Sequence, residues 1–353
     1  MLATLAQPVF AQTGPNSLPS EWRRYADPAT EFDVLRLTSP EHSSVMPLPP
    51  GRAIDRRSRS LLYASNGTGA WQAYLMELGK GQFRGLPAME ELDPVSLTFS
   101  ADDKSAFLAA GPVLSSVLLA SMRPQEICRV REGWTRSGCL ASTEDGTSLF
   151  FVETQGQLSQ LRRMRIPRSA PETVTERPGA ILEATPNPRR AMIIWLSETG
   201  ELWVAGFDGA GQRRVETPPG RVLQAHWSPD GQSIFYLLAS TDATQLNAIR
   251  EQGLDLRDDA LVARTSQFAA FARNANATVF LGASRSKASP TVLVLLRATR
   301  REFTLCEHKA TDPHSVAPAF TPNSQKIVFQ SDRHGKPALY LMNVEKLIER
   351  TDS

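Results

Sequence analysis

Histidine is the residue type in this sequence best suited to binding a metal or moving a proton. His308, Asp312 and His314 lie within one seven-residue stretch, and imidazole and carboxylate groups are common ligands of divalent metals. The stretch could therefore hold a metal, or it could be an ordinary loop with polar side chains. The five histidines of the chain are His42, His226, His308, His314 and His334.

A second candidate for proton transfer is His226, which directly precedes Trp227. Its imidazole could be catalytic, or its ring could be satisfied by hydrogen bonds in the protein interior, which is the interpretation we favour. His334 belongs to Asp332–Gly335, a segment with the composition of a tight hairpin. We interpret His334 as a turn residue.

Several other chemistries lack their sequence signatures. The chain has no Gly-x-Ser-x-Gly motif of an α/β-hydrolase and no glycine-rich phosphate-binding loop. Adjacent carboxylates occur at Asp102–Asp103 and Asp258–Asp259. Neighbouring residues of an extended chain point to opposite faces, so these carboxylates are not acid–base pairs.

The charge composition argues against nucleic acid as a partner. The 353 residues include 39 basic and 37 acidic side chains, with a net charge of +2, whereas nucleic-acid binding usually requires a strongly basic domain or stripe. No apolar stretch approaches the length of a membrane-spanning helix, so we expect no membrane insertion. The densest basic run is predicted to be a solvated strand edge and loop, or alternatively a site for an acidic ligand. It consists of Arg162, Arg163, Arg165 and Arg168.

Three cysteines, Cys128, Cys139 and Cys306, match no zinc or thioredoxin spacing. We expect buried free thiols. A disulfide between Cys128 and Cys139 is the alternative if the protein is exported, because the two would then lie on neighbouring strands.

The elements that must position these residues come from an internal repeat with a period of about 43 residues. Each copy has a polar turn followed by an apolar, β-rich run, most clearly in His226–Ser240. Seven copies occur along the chain. Their aligned turn positions are Arg57, Asp102, Asp145, Asn187, Asp230, Asn274 and Asn323.

One repeat has the chemistry of four antiparallel strands. In Ser228–Gly231 the proline fixes φ, the aspartate bonds to nearby backbone and the glycine accepts a positive φ. The run Ile234–Leu238 is typical of a strand covered on both faces. An alternating segment such as Glu201–Ala205 and a more polar one such as Gln212–Glu216 complete the unit. The repeat predicts an all-β fold, a seven-bladed β-propeller of four-stranded blades.

The two ends of the repeat region predict how the ring closes. The last unit stops after Ala338–Asn343 without a fourth strand, whereas Phe32–Thr38 is a strand without a unit of its own. Pairing these segments would complete the last blade and remove the exposed sheet edges. We therefore predict that the propeller spans residues 31–346 and that residues 347–353 form a tail.

Residues 1–12 predict export. They are apolar and end with small residues at Val9 and Ala11, which resembles the end of a secretory signal peptide. A disordered tail is the alternative, and residues 13–30 are predicted to be a linker or arm. We expect a periplasmic or secreted bacterial protein.

The last repeat contains the segments Pro318–Asn323, Val328–Phe329, Ser331–Asp332 and Gly335–Leu341, and the closing strand contains Val34–Thr38. In these segments the last repeat and the first strand resemble those of the oligogalacturonate lyases, seven-bladed propellers that cleave short pectin fragments by β-elimination. A more general resemblance to the propeller of TolB rests on Trp227–Gly231.

The lyase resemblance implies a particular site. In that family a divalent metal, held by three histidines and a glutamine, binds the uronate carboxylate, and a basic side chain removes the α-proton. Here Ser315 and Ala317 stand where two of the histidines belong, and Asp312 stands at the glutamine position. Gln267 aligns with the third histidine, and Glu201 lies near the position of the family's catalytic arginine.

By this alignment the metal site is lost, and we expect no cofactor. Manganese or another divalent metal would bind only if an altered site had formed from Gln267, His308, Asp312 and His314.

Three functions follow as alternatives. The first is a non-catalytic homologue that binds a carbohydrate or another ligand. The second is an active oligogalacturonate lyase with a rearranged metal site. The third is a TolB-like periplasmic interaction scaffold, although the extra domain of TolB is missing here. The expected partner is accordingly an acidic oligosaccharide, or a protein or peptide bound at a propeller face.

Overall fold

A computed structural model describes residues 18–167, 169–242, 244–255 and 258–348. The described residues form seven antiparallel sheets in a ring, which confirms the predicted seven-bladed propeller. The first strand of each blade lines the central channel, and the later strands follow outward. We call the end of the channel where the first strands begin the upper face, and the end where they finish the lower face.

Blades one to three follow the repeat without crossovers. Their strands are β3 (Ser44–Val45), β4 (Ser60–Ser65), β5 (Gln72–Glu77) and β6 (Phe83–Gly85) in blade one, β7 (Leu92–Phe99), β8 (Ser105–Ala110), β9 (Val113–Leu118) and β10 (Arg123–Arg129) in blade two, and β11 (Thr135–Ser142), β12 (Ser148–Gln155), β13 (Leu158–Arg165) and β14 (Glu172–Pro178) in blade three.

Blades four to six have the same order. Their strands are β15 (Ile181–Pro186), β16 (Met192–Ser197), β17 (Leu202–Gly206) and β18 (Arg213–Arg214) in blade four, β19 (Gly220–Trp227), β20 (Ser233–Ser240), β21 (Ala248–Gly253) and β22 (Asp259–Arg264) in blade five, and β23 (Phe268–Arg273), β24 (Val279–Ser284), β25 (Thr291–Leu296) and β26 (Arg301–Glu307) in blade six.

Blade seven joins the two ends of the propeller region. Strand β2 pairs antiparallel with β29, with Leu35 opposite Leu341, so the predicted ring closure is confirmed. A further strand, β1, lies outside β2 within the segment predicted to be an arm. In order from the channel outward, the blade consists of β27 (Ala319–Phe320), β28 (Lys326–Ser331), β29 (Ala338–Asn343), β2 (Asp33–Arg36) and β1 (Arg23–Ala26).

A buried ion pair fastens the β1–β2 hairpin to the ring. Asp27, in the hairpin turn, lies 3.4 Å from Arg333 of blade seven, and their side chains are 0% and 5% exposed. Asp27 also accepts a hydrogen bond from the backbone of Glu307 at 3.1 Å, while Thr30 donates to the carbonyl of Leu305 at 2.8 Å. The hairpin therefore contacts both blade six and blade seven.

The seven lower-face turns share one hydrogen-bond pattern, in which the first residue of the turn donates its backbone N–H to the carbonyl five residues later. Asn187 and Asn274 occupy this first position, which Ser228 holds in blade five. The structure thus corrects the predicted alignment of both asparagines with Asp230. The seven first residues are Asp55, Ser100, Thr143, Asn187, Ser228, Asn274 and Thr321.

The prediction for the basic run and the alternative of a disulfide both need correction, whereas Cys128 and Cys306 are buried free thiols as expected. Strand β13 pairs with a strand on each side, so it is not an edge strand. Arg162 on this strand is buried beside Glu153 at 3.5 Å.

Cys128 lies on the outermost strand of blade two, whereas Cys139 lies on the innermost strand of blade three. These strands are not neighbours, and Cys128 is a free thiol, as is Cys306. The alternative of a Cys128–Cys139 disulfide is therefore wrong.

Two short helices complete the described elements: a 3₁₀ helix, η1 (Pro313–Val316), and an α-helix, α1 (Glu345–Ile348). Helix α1 includes the start of the predicted tail. The predicted signal segment, residues 1–12, lies outside the described residues. None of the helices in the described ranges is long and apolar enough to cross a membrane.

Candidate functional site

The loop that enters blade seven carries two of the predicted metal-binding residues. Asp312 is the N-cap of η1, and its Oδ1 accepts a hydrogen bond from the backbone N–H of His314 at 3.0 Å. Both side chains are exposed on the upper face. The carboxylate of Asp312 thus fixes the start of a helical turn, a common role for aspartate.

The side chain of His308 is buried and is not open to a ligand. Its buried imidazole interacts with the carbonyl of Ser284 through Nε2 at 2.9 Å, and Nδ1 accepts from the backbone N–H of Ala310 at 3.0 Å. Nε2 is therefore the protonated nitrogen. Burial lowers the pKa of this imidazole. Both ring nitrogens are occupied, so His308 would have to break a hydrogen bond to bind a metal.

Gln267, the fourth predicted metal ligand, begins blade six. Its side chain is exposed, and its backbone has a positive φ of 57°. Its carbonyl accepts a hydrogen bond from the backbone N–H of Arg285 at 2.9 Å. Helix η1 packs beside strand β23, so Gln267 and the loop of His314 share the upper face. Within the described ranges, no three His, Cys, Asp or Glu side chains are grouped so that they could hold a metal ion.

Glu201, the residue near the position of the family's catalytic arginine, lies between two guanidinium groups. It is 3.0 Å from Arg214 and 3.5 Å from Arg177, and the indole of Trp203 donates to it at 3.4 Å. Burial opposes ionisation of this carboxyl, but the hydrogen bonds from Arg214 and Trp203 outweigh it and lower the pKa. Glu201 is therefore an ionised, paired carboxylate.

His226 lines a cavity of about 330 Å³ at the lower face of the channel. Its Nε2 lies 3.0 Å from the carbonyl of Phe271 in the next blade, and the two rings meet edge to face at 4.7 Å between centroids. Burial lowers the pKa of His226 to about 4. The imidazole is thus neutral near pH 7 and its Nε2 donates to the carbonyl.

Arg273 lies in the same cavity and was not predicted from the sequence. Its Nε donates to the carbonyl of Trp227 at 2.7 Å and its Nη1 donates to the carbonyl of Asn274 at 3.2 Å. By contrast, Arg52, another arginine in the wall of this cavity, forms an ion pair with Asp103 at 2.5 Å. No carboxylate of the described residues lies within ion-pair distance of Arg273, and burial lowers the pKa of its guanidinium.

Glu183, on β15, is a second channel residue that sequence reasoning missed. Burial raises the pKa of this carboxyl to about 8, opposed in part by a hydrogen bond from the backbone N–H of Ala225 in the next blade. Near pH 7 Glu183 therefore carries a proton. A comparison of equivalent positions across the repeats could have signalled Arg273, because it stands where blades two, five and seven have Phe99, Trp227 and Phe320.

The sequence and the fold are both similar to those of known proteins. No family model matches the chain. The oligogalacturonide lyase of Pectobacterium atrosepticum and the oligogalacturonate lyase of Dickeya dadantii are each 21% identical to it, over 93% of this chain and 97% of theirs.

Two solved structures have nearly the same architecture. An oligogalacturonate lyase in complex with manganese has a TM-score of 0.86 at 20% identity, covering 93% of this chain and 97% of that one. The oligogalacturonate lyase of Vibrio parahaemolyticus has a TM-score of 0.85 at 19% identity, covering 94% and 98%. The resemblance and the shared propeller fold are confirmed, and neither similarity decides between a catalytic and a non-catalytic protein.

Proposed function

We propose that this propeller of the oligogalacturonate-lyase type binds an acidic oligosaccharide on its upper face without cleaving it. The observation that carries the proposal is the pair of residues standing where the resemblance implies two metal-binding histidines. Ala317 offers only a methyl group, and the hydroxyl of Ser315 donates to the carbonyl of Asp312 at 2.7 Å. Replacing two imidazoles in this way removes the nitrogen ligands on which such a site depends.

The remaining candidate ligands do not fit a manganese ion. His308 uses both ring nitrogens within the protein, and Asp312 caps η1 through Oδ1. His314 and Gln267 are exposed. No carboxylate among the described residues forms a hydrogen bond that would orient either side chain. A metal site needs ligands oriented by further hydrogen bonds. We therefore assign no step of a reaction to a metal in this chain.

The position aligned near the family's arginine also argues for a protein that does not cleave. Proton abstraction from carbon next to a carboxylate needs a base and a group that stabilises the charge developing on the substrate. Glu201 is negatively charged and engaged with Arg177 and Arg214. A carboxylate at this position would repel a uronate instead of stabilising it.

Binding of an acidic sugar chain is supported by free cations on the upper face. Arg285 and Lys287 are exposed in the loop that follows β24, and neither has an ion-pair partner among the described residues. The backbone bond between Arg285 and Gln267 holds this loop beside the entrance to the channel. Guanidinium and ammonium groups suit carboxylates, and the Gln267 amide suits sugar hydroxyls.

Titration calorimetry with oligogalacturonate tests the binding surface. We expect the wild-type protein to bind, and the double variant Arg285→Ser/Lys287→Ser to bind at least tenfold more weakly. The matched control is Arg189→Ser/Arg190→Ser, which removes two exposed cations from the lower face and should leave the affinity unchanged. A neutral oligosaccharide of the same length should not bind. If oligogalacturonate does not bind, or binds equally to the Arg285/Lys287 variant, the proposed surface is wrong.

A further inference from the structure

The lower end of the channel contains a second feature with the properties of a ligand site. All seven blades contribute to its cavity of about 330 Å³, a volume near the lower end of the range for small-molecule sites. The site lies at the opposite end of the channel from Gln267 and η1. It is therefore separate from the surface proposed above.

A proline-rich segment of blade one, residues 46–52, forms part of this cavity. It interrupts the first strand of the blade, because β3 ends at Val45 and pairing with β4 resumes only at Ile54. Leu48 donates its N–H to the carbonyl of Val95 in blade two at 3.1 Å. A Cβ on Gly51 would lie only 2.7 Å from the carbonyl oxygen of Leu97, so the segment packs tightly against that blade. It gives the cavity a fixed wall instead of an open channel.

One of the cations around the cavity has no direct ion-pair partner among the described residues. Arg52 is paired with Asp103, and Arg56 is paired with Glu144. Arg273 bonds only to two backbone carbonyls, and its Nη2 has no partner among the described residues. Arg273 is half-buried, and Glu144 and Asp230 attract its guanidinium only from beyond ion-pair distance. An anion in the cavity would supply the direct ion pair that this guanidinium lacks.

The other walls indicate the size and charge of the anion. His226 is neutral near pH 7 and already bonded to Phe271. The apolar lining includes Ala272, Ala319 and Phe320. Arg52 and Arg56 already have carboxylate partners. The one guanidinium that remains unpaired therefore matches a single negative charge better than the double charge of a phosphate. A carboxylate also matches the planar geometry of the guanidinium.

We propose that the lower-face cavity binds a small monocarboxylate, with Nη2 of Arg273 as its main hydrogen-bond donor. The walls contributed by His226, Phe320 and the proline-rich segment set the space for the rest of the ligand. This site is independent of the acidic-oligosaccharide surface on the upper face and does not require it.

Binding of sodium acetate and sodium galacturonate, followed by NMR chemical-shift changes at constant ionic strength, tests the site. We expect the indole N–H signal of Trp227 to shift on titration, because that N–H donates to the carbonyl of Thr185 in the cavity wall and the backbone carbonyl of Trp227 accepts from Arg273. The variant Arg273→Met should weaken binding at least tenfold. Arg190→Met should not change it, since Arg190 is an exposed lower-face arginine outside the cavity, bonded to Gln232.

Three results would overturn the proposal. One is equal binding by the Arg273→Met protein, and another is an absence of binding by the wild type. The third is binding of inorganic phosphate as tight as that of the carboxylates. If Arg273→Met does not fold, Arg273→Lys keeps the charge without the planar fork, and we expect it to bind more weakly than the wild type. The upper-face variant Arg285→Ser/Lys287→Ser should keep full monocarboxylate binding, which separates this site from the surface for oligosaccharides.

Discussion

Replacing Glu183 with glutamine should change how the stability of the propeller depends on pH. Glu183 lies on the innermost strand of blade four, and burial raises its pKa from 4.5 to about 8. Between these values the folded protein keeps a proton that the unfolded chain releases. The folded state is therefore penalised progressively as the pH rises through this range. Glutamine has nearly the same shape and no charge, so the variant should not show this loss.

The size of the effect follows from the shift in pKa. One pKa unit corresponds to about 1.4 kcal/mol, so a fully buried carboxyl with this shift would contribute on the order of 5 kcal/mol between pH 4.5 and pH 8. The side chain of Glu183 keeps partial contact with solvent, which reduces the penalty for charging it. We therefore expect the pH-dependent loss of folding stability to be about 2 kcal/mol. The wild type should lose this amount relative to Glu183→Gln when the pH rises from 5 to 8.

Urea denaturation at pH 5 and pH 8 measures the difference. The control is Glu198→Gln, which removes an exposed carboxylate from the same blade and should give the same difference from wild type at both values. An equal gap between wild type and Glu183→Gln at both pH values would show that the folded protein does not raise the pKa of Glu183. A wild type that gains stability relative to the variant as the pH rises would show the same.

Three further predictions concern ring closure, the channel and the turns. Asp27→Asn should reduce the free energy of unfolding by about 3 kcal/mol in urea denaturation, because it removes one partner of the buried pair with Arg333. Asp33→Asn, at an exposed site, should change it by less than about 0.5 kcal/mol, and equal effects would contradict the assignment. The ring of His226 should stay neutral down to about pH 4 by NMR, and a midpoint near 6.5 would show that the imidazole is open to solvent. Ser228→Ala should cost about 1 kcal/mol, because the hydroxyl accepts from two backbone N–H groups of its turn; an unchanged urea midpoint would argue against that role.

The architecture was predictable because its signals are local. A residue such as Ser228 closes a turn with atoms only five positions away, so the same residue types recur in every blade. Ring closure was predictable as well, since Phe32–Thr38 and the incomplete last unit each lacked a partner. The exact register was less accessible. Asn187 and Asn274 close the turn as Ser228 does, although their sequences align equally well with Asp230.

The environment of individual side chains could not be read from the sequence. Arg162 belongs to a basic run that looked solvent-exposed, but the strands on both sides of β13 and a neighbouring carboxylate bury it. Arg273 and Glu183 acquire their properties from adjacent blades, whose residues lie about forty positions away in the chain. Burial of this kind depends on how the sheets pack around the ring, which no local pattern specifies.

The function proposed for this protein is to bind an acidic oligosaccharide without cleaving it. The most direct measurement is the ultraviolet absorbance of an unsaturated uronate product, followed during incubation with oligogalacturonate and added Mn²⁺. A characterised oligogalacturonate lyase under the same conditions serves as the positive control. We expect a flat absorbance at a protein concentration that gives saturable binding in calorimetry. Product that accumulates with Mn²⁺, and that no longer accumulates once a chelator is added, would show instead that the protein is a metal-dependent lyase.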